Sequence, residues 1–273
     1  MRKWMNKHPS RLGRVTLGMI PLVLSLIVYQ WASLSRLSVN PADKLLPSFS
    51  AMGNAWWESA TLVDMRSGQQ LLWADTWISL IRLGGSMAIA TLLGLLVGVL
   101  VGIIPVIRAA LSPFLAWFSL IPPLAVLPIL FILFGLGEIS KVVLIVVGIA
   151  PFLMRDIAIK VEELPQEQLI KAQTLGAGTW VVLWRVVLPQ ILPRLMDSVR
   201  LSLGSAWLYL IAAEAIAAEG GLGYRIFLLR RYLAMDTILP YVAWITLLAF
   251  GTDWFLKKLT RWAFPWYNPI RNT

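Results

Sequence analysis

The sequence predicts an all-α integral membrane protein with six transmembrane helices and both termini in the cytoplasm. Hydrophobic residues make up 58% of the 273-residue chain and charged residues only 14%, so too few polar side chains remain to cover a soluble domain. The mean hydropathy is +0.74. The apolar residues fall into blocks of roughly 20 residues or more, the length with which a helix crosses the hydrocarbon of a bilayer.

Composition also excludes several kinds of functional site. The chain has no cysteine, and its one histidine is His8 in the polar N-terminal tail. Neither a metal site nor a catalytic triad can be assembled from these residues, and we expect no catalytic residue and no metal. The net charge of +10 comes from Lys and Arg beside the apolar blocks, as in cytoplasmic loops of membrane proteins, so we expect no nucleic-acid partner.

The first apolar block covers residues 15–34 and follows a basic tail. A signal peptide also starts with basic residues, but its apolar core has only about 7–15 residues before a small-residue cleavage site. This block is longer and no Ala-x-Ala follows it, so the sequence favours a retained helix over a signal peptide. Residues 1–34 are therefore assigned to the tail and first helix. Residues 35–77 are assigned to an outer, periplasmic loop whose tryptophans indicate the headgroup level.

The second and third helices are predicted at residues 78–104 and 111–134. In the second, Gly94, Gly98 and Gly102 form a ridge of small residues that lets another helix approach closely. In the third, prolines remove backbone hydrogen bonds, so the sequence predicts either a proline-broken helix beside a pathway or a kinked packing helix. These prolines are Pro113, Pro122, Pro123 and Pro128.

Three further helices are predicted at residues 139–154, 195–218 and 238–259, and residues 265–273 form a tail. The core permeation domain is assigned to residues 78–264. If the N-terminus is cytoplasmic, about two thirds of the Lys and Arg residues fall on the inner side, which fixes this orientation. The charged, amphipathic residues 155–194 are then cytoplasmic.

Two short helices parallel to the membrane are predicted within residues 161–189. Pro165 suits the first turn of the first helix, and Glu162, Glu163 and Glu167 complement its positive end. Gly176 fits a helix stop. The second helix is expected to be capped by Thr179 and ended by Pro189. An apolar strip of Leu169, Ala172 and Leu175 either docks a soluble partner or lies on lipid or on the chain's own bundle.

This segment resembles the cytoplasmic EAA loop of ABC importer permeases, whose pattern is Glu-Ala-Ala, three residues, Gly, nine residues and Ile-x-Leu-Pro. Here Gly176 is followed by nine residues and then Val186-Val187-Leu188-Pro189, while Ala172 fits the second alanine. Ile170 and Lys171 depart from the Glu and the first Ala. Residues 46–264 as a whole resemble the nitrate/sulfonate/taurine-type permeases. Further matching segments are Leu46-Pro47-Ser48, Thr76 with Arg82, residues 122–128, Gly204-Ser205-Ala206-Trp207, Ala212-Ala213-Glu214 and Gly221-Leu222-Gly223.

The resemblance implies a type I importer in the bacterial cytoplasmic membrane. It implies a second permease subunit forming a homodimer, two ABC ATPase subunits that bind ATP and Mg²⁺, and an external or periplasmic binding protein. The chain itself would hold no cofactor, and it lacks the Gly-Lys pair of a P-loop. The solute would be a small anion such as nitrate, a sulfonate or taurine, moved by alternating access. The ATPase-coupling residues it implies are Glu163, Gln168, Ala172, Leu175, Gly176, Ala177 and Pro189.

Polar residues within helices indicate a translocation pathway. We expect Arg82, Pro123, Ser205 and Glu214 along it. Two alternatives stay open, since Glu214 can pair with a nearby Arg and Arg82 can snorkel to headgroups. The spacing also predicts ion pairs of Arg200 with Asp197 and of Asp253 with Lys257.

A secondary transporter or channel working without ATP is the main alternative function, although no internal repeat is visible in the sequence. A membrane-embedded enzyme would need clustered polar residues, whereas those inside the predicted helices are isolated.

Overall fold

The computed structural model of the chain describes residues 10–41, 43–65 and 68–267. The basic residues Arg2, Lys3, Lys7, Arg66 and Arg271, together with His8, lie outside the described residues. Within the described part, the one extended pairing is an isolated bridge between Val63 and Gln70. The helices are α1 (Arg11–Val39), α2 (Phe49–Thr61), α3 (Leu71–Ile103), α4 (Pro105–Phe118), α5 (Pro123–Phe134), α6 (Glu138–Glu162), α7 (Gln166–Thr174), α8 (Thr179–Val182), a π-helical turn (Leu183–Val187), α9 (Leu188–Ala217), α10 (Leu222–Arg230) and α11 (Met235–Ala263).

Five helical segments in the described residues are long and apolar enough to cross a membrane, and a sixth candidate is a bent pair. The five agree with the predicted first, second, fourth, fifth and sixth helices. The predicted third helix is two helices, α4 and α5, which meet at 94°. Pro122 and Pro123 explain this break, because residues before proline are driven out of the helical conformation. The break in the helix is therefore confirmed over a mere kink, while its position beside a pathway stays a prediction.

Several predicted boundaries were wrong, because helices continue beyond the apolar block that identifies them. α3 has 33 residues and begins at Leu71, within the predicted outer loop. That loop also contains α2, whose first turn is capped by Ser48 Oγ, which accepts a hydrogen bond from the Ala51 N–H at 3.2 Å. The stretch between the predicted fifth and sixth helices likewise contains α10.

The chain divides into two compact units, and the first comprises the residues before position 63 together with residues 229–242. In this unit, the α1–α2 connection is fixed by hydrogen bonds. Tyr29 donates its hydroxyl to the Pro47 carbonyl at 2.8 Å, and Ser33 donates to the Leu46 carbonyl at 3.0 Å. The connection is thus held by side chains of α1 on backbone carbonyls.

The second unit, residues 63–228 and 243–273, is built on the pairing of α3 with α6. The three glycines of the predicted ridge lie against α6. A Cβ at Gly94 would stand 2.6 Å from Leu153 Cβ, and one at Gly98 or Gly102 would lie equally close to Ile157 or Val161. The predicted close approach is confirmed, because no larger residue fits between these helices.

The later part of α11 is joined to its neighbours by polar contacts. The Trp244 indole N–H donates to Thr76 Oγ1 of α3 at 2.9 Å. Asp253 accepts two hydrogen bonds from Arg200 of α9, at 2.9 and 3.1 Å, so the predicted pairing of Asp253 with Lys257 was wrong. The predicted Arg200–Asp197 ion pair is also present. Its separation of 3.4 Å is longer than that of the Arg200–Asp253 pair.

Candidate functional site

The segment between α6 and α9 contains the predicted helix stop. The N–H of Gly176 donates to the Gln173 carbonyl at 2.9 Å, and the N–H of Ala177 donates to the Ala172 carbonyl at 3.0 Å. These two bonds are the Schellman arrangement that satisfies the last carbonyls of a helix. Gly176 has φ of +84°, a conformation that favours glycine. The stop is therefore confirmed in its detailed geometry.

The second short helix differs from its prediction at both ends. Gly178 is its N-cap residue, so Thr179 is the first helical residue and not the cap. Pro189 does not end the helix, which continues through the π turn into α9 without a break. Proline has no N–H to donate to the carbonyl four residues earlier. The helix widens into a π turn here, and the N–H of Leu188 donates to the carbonyl of Leu183, five residues back.

An exposed apolar surface lies where α7 and α8 meet. Leu175 is 89% exposed, Trp180 71% and Trp184 65%, and Ile170 and Val181 are also exposed. We call these five residues the docking surface. The predicted strip was only partly right, because Leu169 and Ala172 are half-buried and face the protein rather than this surface.

A cavity of about 490 Å³ lies behind α7. Its walls come from the end of α3, the start of α4, the end of α6 and the short helices. Leu169 and Gln173 line it from α7, opposite Val161 and Gly102. The docking surface is therefore carried on helices that are not fully packed against the bundle.

The two ends of this segment are tied by charged groups. Lys160 Nζ lies 2.7 Å from Asp156 Oδ2 and also hydrogen-bonds to Ser198 Oγ of α9. Glu163, at the end of α6, lies 3.7 Å from Arg194 of α9. The α6 and α9 backbones are thereby held together where the segment leaves and returns.

The acidic residues of the segment are divided between two helices. Glu162 and Glu163 stand at the C-terminal end of α6 and not in the first turn of α7, contrary to the prediction. Glu162 pairs with Arg108 of α4 at 3.0 Å. Glu167 does lie in the first turn of α7, as predicted. Gln168 accepts a hydrogen bond from Gln190 at 2.9 Å, which connects α7 to the start of α9.

A buried polar cluster lies at the opposite ends of α6 and α9. Glu214 of α9 is fully buried, and its Oε1 is 2.8 Å from Nη1 of Arg82 of α3. Arg82 is only 8% exposed and also donates to both carboxylate oxygens of Glu138, at 2.5 and 2.7 Å. Lys141 binds the same carboxylate at 2.8 Å. A buried charge pair of this kind is retained because each charge has partners.

The cluster holds the start of α10 by its backbone. Arg82 donates to the Gly220 carbonyl at 2.8 Å. The next three N–H groups along the chain each donate to a different side chain at 2.9 Å, Gly221 to Asp75, Leu222 to Ser79 and Gly223 to Glu214. These N–H groups are among those that a helix N-terminus leaves unsatisfied. Side chains of α3 and α9 therefore cap α10 from outside.

Residues 90–264 match the family described as "Binding-protein-dependent transport system inner membrane component". The match covers more than half of the chain. The chain belongs to this family. It is therefore an ABC importer permease, a multi-pass protein of the inner membrane and a non-catalytic component, with the ATPase on a separate subunit.

Two curated relatives span most of the permease. The permease is 38% identical over 201 residues to the taurine transport system permease protein TauC of Escherichia coli (strain K12), and the match covers 73% of each chain. It is 32% identical over 229 residues to the riboflavin transport system permease protein RibX of Chloroflexus aurantiacus, covering 84% of this chain and 81% of the relative. The similarity to TauC agrees with the taurine and sulfonate type of permease.

A solved structure shares the fold. The permease superposes on a chain of the MetNI methionine ABC transporter, in an inward-facing crystal form, with a TM-score of 0.62 at 24% identity. The superposition covers 72% of the permease and 98% of that chain. The helical arrangement of the permease is thus that of an ABC importer permease.

The predicted pathway residues lie in different surroundings. Arg82 is buried and pairs with Glu138 and Glu214, and Glu214 takes the alternative of pairing with an Arg. Pro123 begins α5, and Ser205 is exposed on α9. Sequence reasoning missed Asp75, Ser79 and Glu138. A signal was present for the first two, because positions 75, 79 and 82 recur at helical spacing in an otherwise apolar helix.

Proposed function

We propose that the permease imports a small sulfonate-type anion such as taurine by alternating access, driven by an ATPase subunit that binds the docking surface. The single observation that carries this proposal is the exposure of Leu175, Trp180 and Trp184 on a segment tied to the bundle at both ends. Exposed apolar residues clustered in this way mark an interaction site. Tryptophan is also enriched among the residues that dominate binding energy at interfaces.

A soluble partner explains the docking surface better than lipid does. Charged and polar residues surround it on the same segment, including Glu167, Lys171 and Arg185, which are all exposed. A helix lying on the membrane would instead direct one continuous apolar face to the lipid. Here Leu169 and Ala172 face the protein while Leu175 faces outward. The exposed apolar residues form a compact patch of the kind that fills a groove in a partner.

In this proposal, residues 155–194 are the coupling segment. Leu175 and the tryptophans enter the ATPase, while Gly176, Ala172 and Ala177 fix the turn that presents them. Glu163 and Gln168 connect the segment to α9. Pro189 sets the π turn that carries α8 into α9. The segment would therefore move with α6 and α9 as one body.

The assembly that we propose is a homodimer of the permease with two ATPase subunits and an external binding protein. ATP and Mg²⁺ bind the ATPase subunits, whose pairing drives the cycle. We count the bent pair α4–α5 as one span, which would give six spans and put both termini on the same side of the membrane. The excess of basic residues supports the cytoplasm as that side. Pro123 and Ser205 are the residues that we propose along the pathway.

The substrate proposal rests on the likeness to TauC, named as a taurine transport system permease. RibX, named as a riboflavin permease, is also similar, so selection is expected to lie mainly in the binding protein. The buried cluster supports this division of roles. It contains three carboxylates, Asp75, Glu138 and Glu214, against three cations, Arg82, Lys141 and Arg225. A balanced cluster offers a passing anion no net charge.

Co-purification tests the proposed partner. The permease is expressed with the genes that neighbour it, and a tag on the permease is used to isolate the complex in mild detergent. We expect an ATPase subunit in equal amount, and its loss from the Leu175→Asp variant. Leu136→Asp is the matched control, because Leu136 is exposed between α5 and α6, at the far end of the bundle. Equal retention of the ATPase by both variants would contradict docking at Leu175.

Uptake tests the proposed transport. The purified complex and the neighbouring binding protein are placed in liposomes with radiolabelled taurine outside and ATP inside. We expect accumulation that requires ATP and that an excess of alkyl sulfonate suppresses. Uptake by the permease alone without ATP would instead support the secondary transporter or channel.

A further inference from the structure

We propose that Asp75, Ser79, Arg82 and Glu214 form a latch that holds the start of α10 in place, and that ATP-driven closure of the bound ATPase pair, transmitted through the docking surface, releases it to open the outer end of the pathway. This inference rests on the proposed function. It assigns a positioning role to residues that lie far from the ATPase. The latch is defined as these four side chains together with the backbone of residues 220–223.

The contacts of the latch are directed at backbone rather than at side chains. One carbonyl and three successive N–H groups of residues 220–223 are each bound by a different side chain. Polar contacts of this kind are lost together when the two elements separate by little more than 1 Å, because hydrogen bonds weaken steeply with distance and angle. In this proposal, the start of α10 therefore exchanges between two arrangements, bound and released.

The glycines of the latch are required by space. Gly221 has φ of +119°, and a Cβ there would lie 2.5 Å from Glu214 Oε1. A Cβ at Gly223 would lie 2.6 Å from the Ile211 carbonyl. Both positions bring the α10 backbone into direct contact with α9 near Glu214. Glycine at positions 221 and 223 therefore lets the backbone lie against Glu214 without a steric clash.

One helical rod connects the latch to the docking surface. Thr179–Ile216 is a continuous span of 38 residues. At ~1.5 Å of rise per residue, such a rod is about 57 Å long, with Trp180 and Trp184 near one end and Glu214 near the other. Displacement of the docking surface is therefore transmitted along the rod to Glu214, whose Oε2 accepts the hydrogen bond from Gly223 at the start of α10.

The ion pairs let the latch open without leaving a buried charge alone. Glu214 keeps Arg82 and Ser79 as partners when Gly223 leaves, and Asp75 keeps Arg225 at 2.7 Å when Gly221 leaves. An unpaired buried carboxylate would make such a step very costly. The charge pairs therefore preserve the cluster while the backbone hydrogen bonds are exchanged for water.

A single cysteine reports whether the latch opens. The chain has no cysteine, so Ile78→Cys supplies the only thiol in the permease, and any cysteines of the ATPase are replaced. Ile78 lies under Gly220, where a Cβ would stand 3.2 Å from its Cδ1. The complex with the ATPase is placed in nanodiscs and treated with a water-soluble fluorescent maleimide. The labelling rate is compared between the nucleotide-free complex and the complex trapped with ATP and vanadate.

We expect labelling of the Ile78→Cys protein to be at least about tenfold faster in the trapped complex, because the released state then dominates the population. Leu136→Cys is the control, and we expect the same rate in both states because Leu136 is exposed outside the latch. Equal rates for Ile78→Cys in both states would overturn the latch.

A second variant tests the role of the hydroxyl group in the latch. Ser79→Ala removes the acceptor for the Leu222 N–H while Arg82 and Gly223 stay as partners of Glu214. In the Ile78→Cys background, we expect it to raise the labelling rate without nucleotide, and Ser79→Thr to restore the slow rate. Slow labelling in Ser79→Ala would overturn the latch even if its transport were impaired.

Failure of the latch and failure of the proposed function give different results. If no ATPase binds and vanadate traps nothing, the proposed function fails and the latch fails with it. If the ATPase binds and vanadate traps the complex, but the Ile78→Cys rate is unchanged, only the latch is overturned.

Discussion

Arg82 of α3 and Glu214 of α9 form a buried ion pair, with Nη1 2.8 Å from Oε1. The two residues are 132 positions apart in the sequence, and both also bind the backbone at the start of α10. This pair therefore joins α3, α9 and the start of α10.

Removing one member of the pair should be worse than removing both. Arg82→Gln leaves Glu214 buried without a cation, which typically costs about 3–5 kcal/mol for such a pair. The double variant Arg82→Gln/Glu214→Gln leaves no uncompensated charge at this pair, and we expect it to be less destabilised. The measurement is the thermal unfolding midpoint, in detergent, of Arg82→Gln, Glu214→Gln and the double variant. A double variant that unfolds at or below the midpoint of both single variants would contradict this interpretation.

The α3–α6 contact should not tolerate a methyl group at Gly98. A Cβ there would stand 2.8 Å from Ile157 Cβ, so we expect Gly98→Ala to cost about 1–3 kcal/mol by overpacking. Gly85→Ala is the matched control on the same helix, because nothing lies within 4 Å of its Cβ. We expect that variant to be neutral or slightly stabilised. The comparison is made by unfolding midpoints, and equal midpoints would exclude close packing at Gly98.

The two adjacent glycines before α10 should respond differently to alanine. At Gly221 the positive φ and the 2.5 Å approach to Glu214 both oppose a side chain, so we expect Gly221→Ala to abolish most ATP-driven uptake. At Gly220 the nearest atom is the flexible end of Ile78, and we expect Gly220→Ala to keep most of the uptake. Full uptake by Gly221→Ala would show that the start of α10 adopts another conformation.

The turn that presents Leu175 should depend on glycine at one position only. Gly176→Ala places a side chain at φ of +84°, which costs about 1 kcal/mol for the left-handed conformation. We expect the variant to bind the ATPase several-fold more weakly. Gly178→Ala is the control, because the φ of Gly178 is −71°. The affinities of the two variants are measured by titrating labelled ATPase into nanodiscs that contain the permease. Equal affinities would mean that the turn does not control docking.

The spanning helices were predictable because their signal is local. An apolar block of about 20 residues identifies a helix wherever its neighbours lie. The ends were less predictable, since α3 continues into a polar region and α6 runs to Glu162. Pro189 was misread as a stop because a π turn absorbs the missing hydrogen bond, which composition alone does not reveal.

The buried cluster was only partly predictable because its contacts join distant parts of the chain. Glu214 stood out as a charge within an apolar helix. Arg82 stood out as well, but Ser79 did not, and both belong to a helix more than 130 positions earlier. Glu138 lay just before the predicted fourth helix, and Asp75 lay in the predicted outer loop. Only the packing of α3 beside α6 and α9 brings these residues together.

Site-specific photo-crosslinking tests the central claim, that an ATPase subunit binds the docking surface. A benzophenone amino acid replaces Trp180 in one variant and Trp254, which is exposed on α11, in the control. Both are expressed with the neighbouring genes and irradiated in membranes. We expect position 180 to cross-link to the ATPase subunit and position 254 not to do so. If position 180 yields only lipid adducts or cross-links within the permease, the docking surface is not the ATPase-binding site.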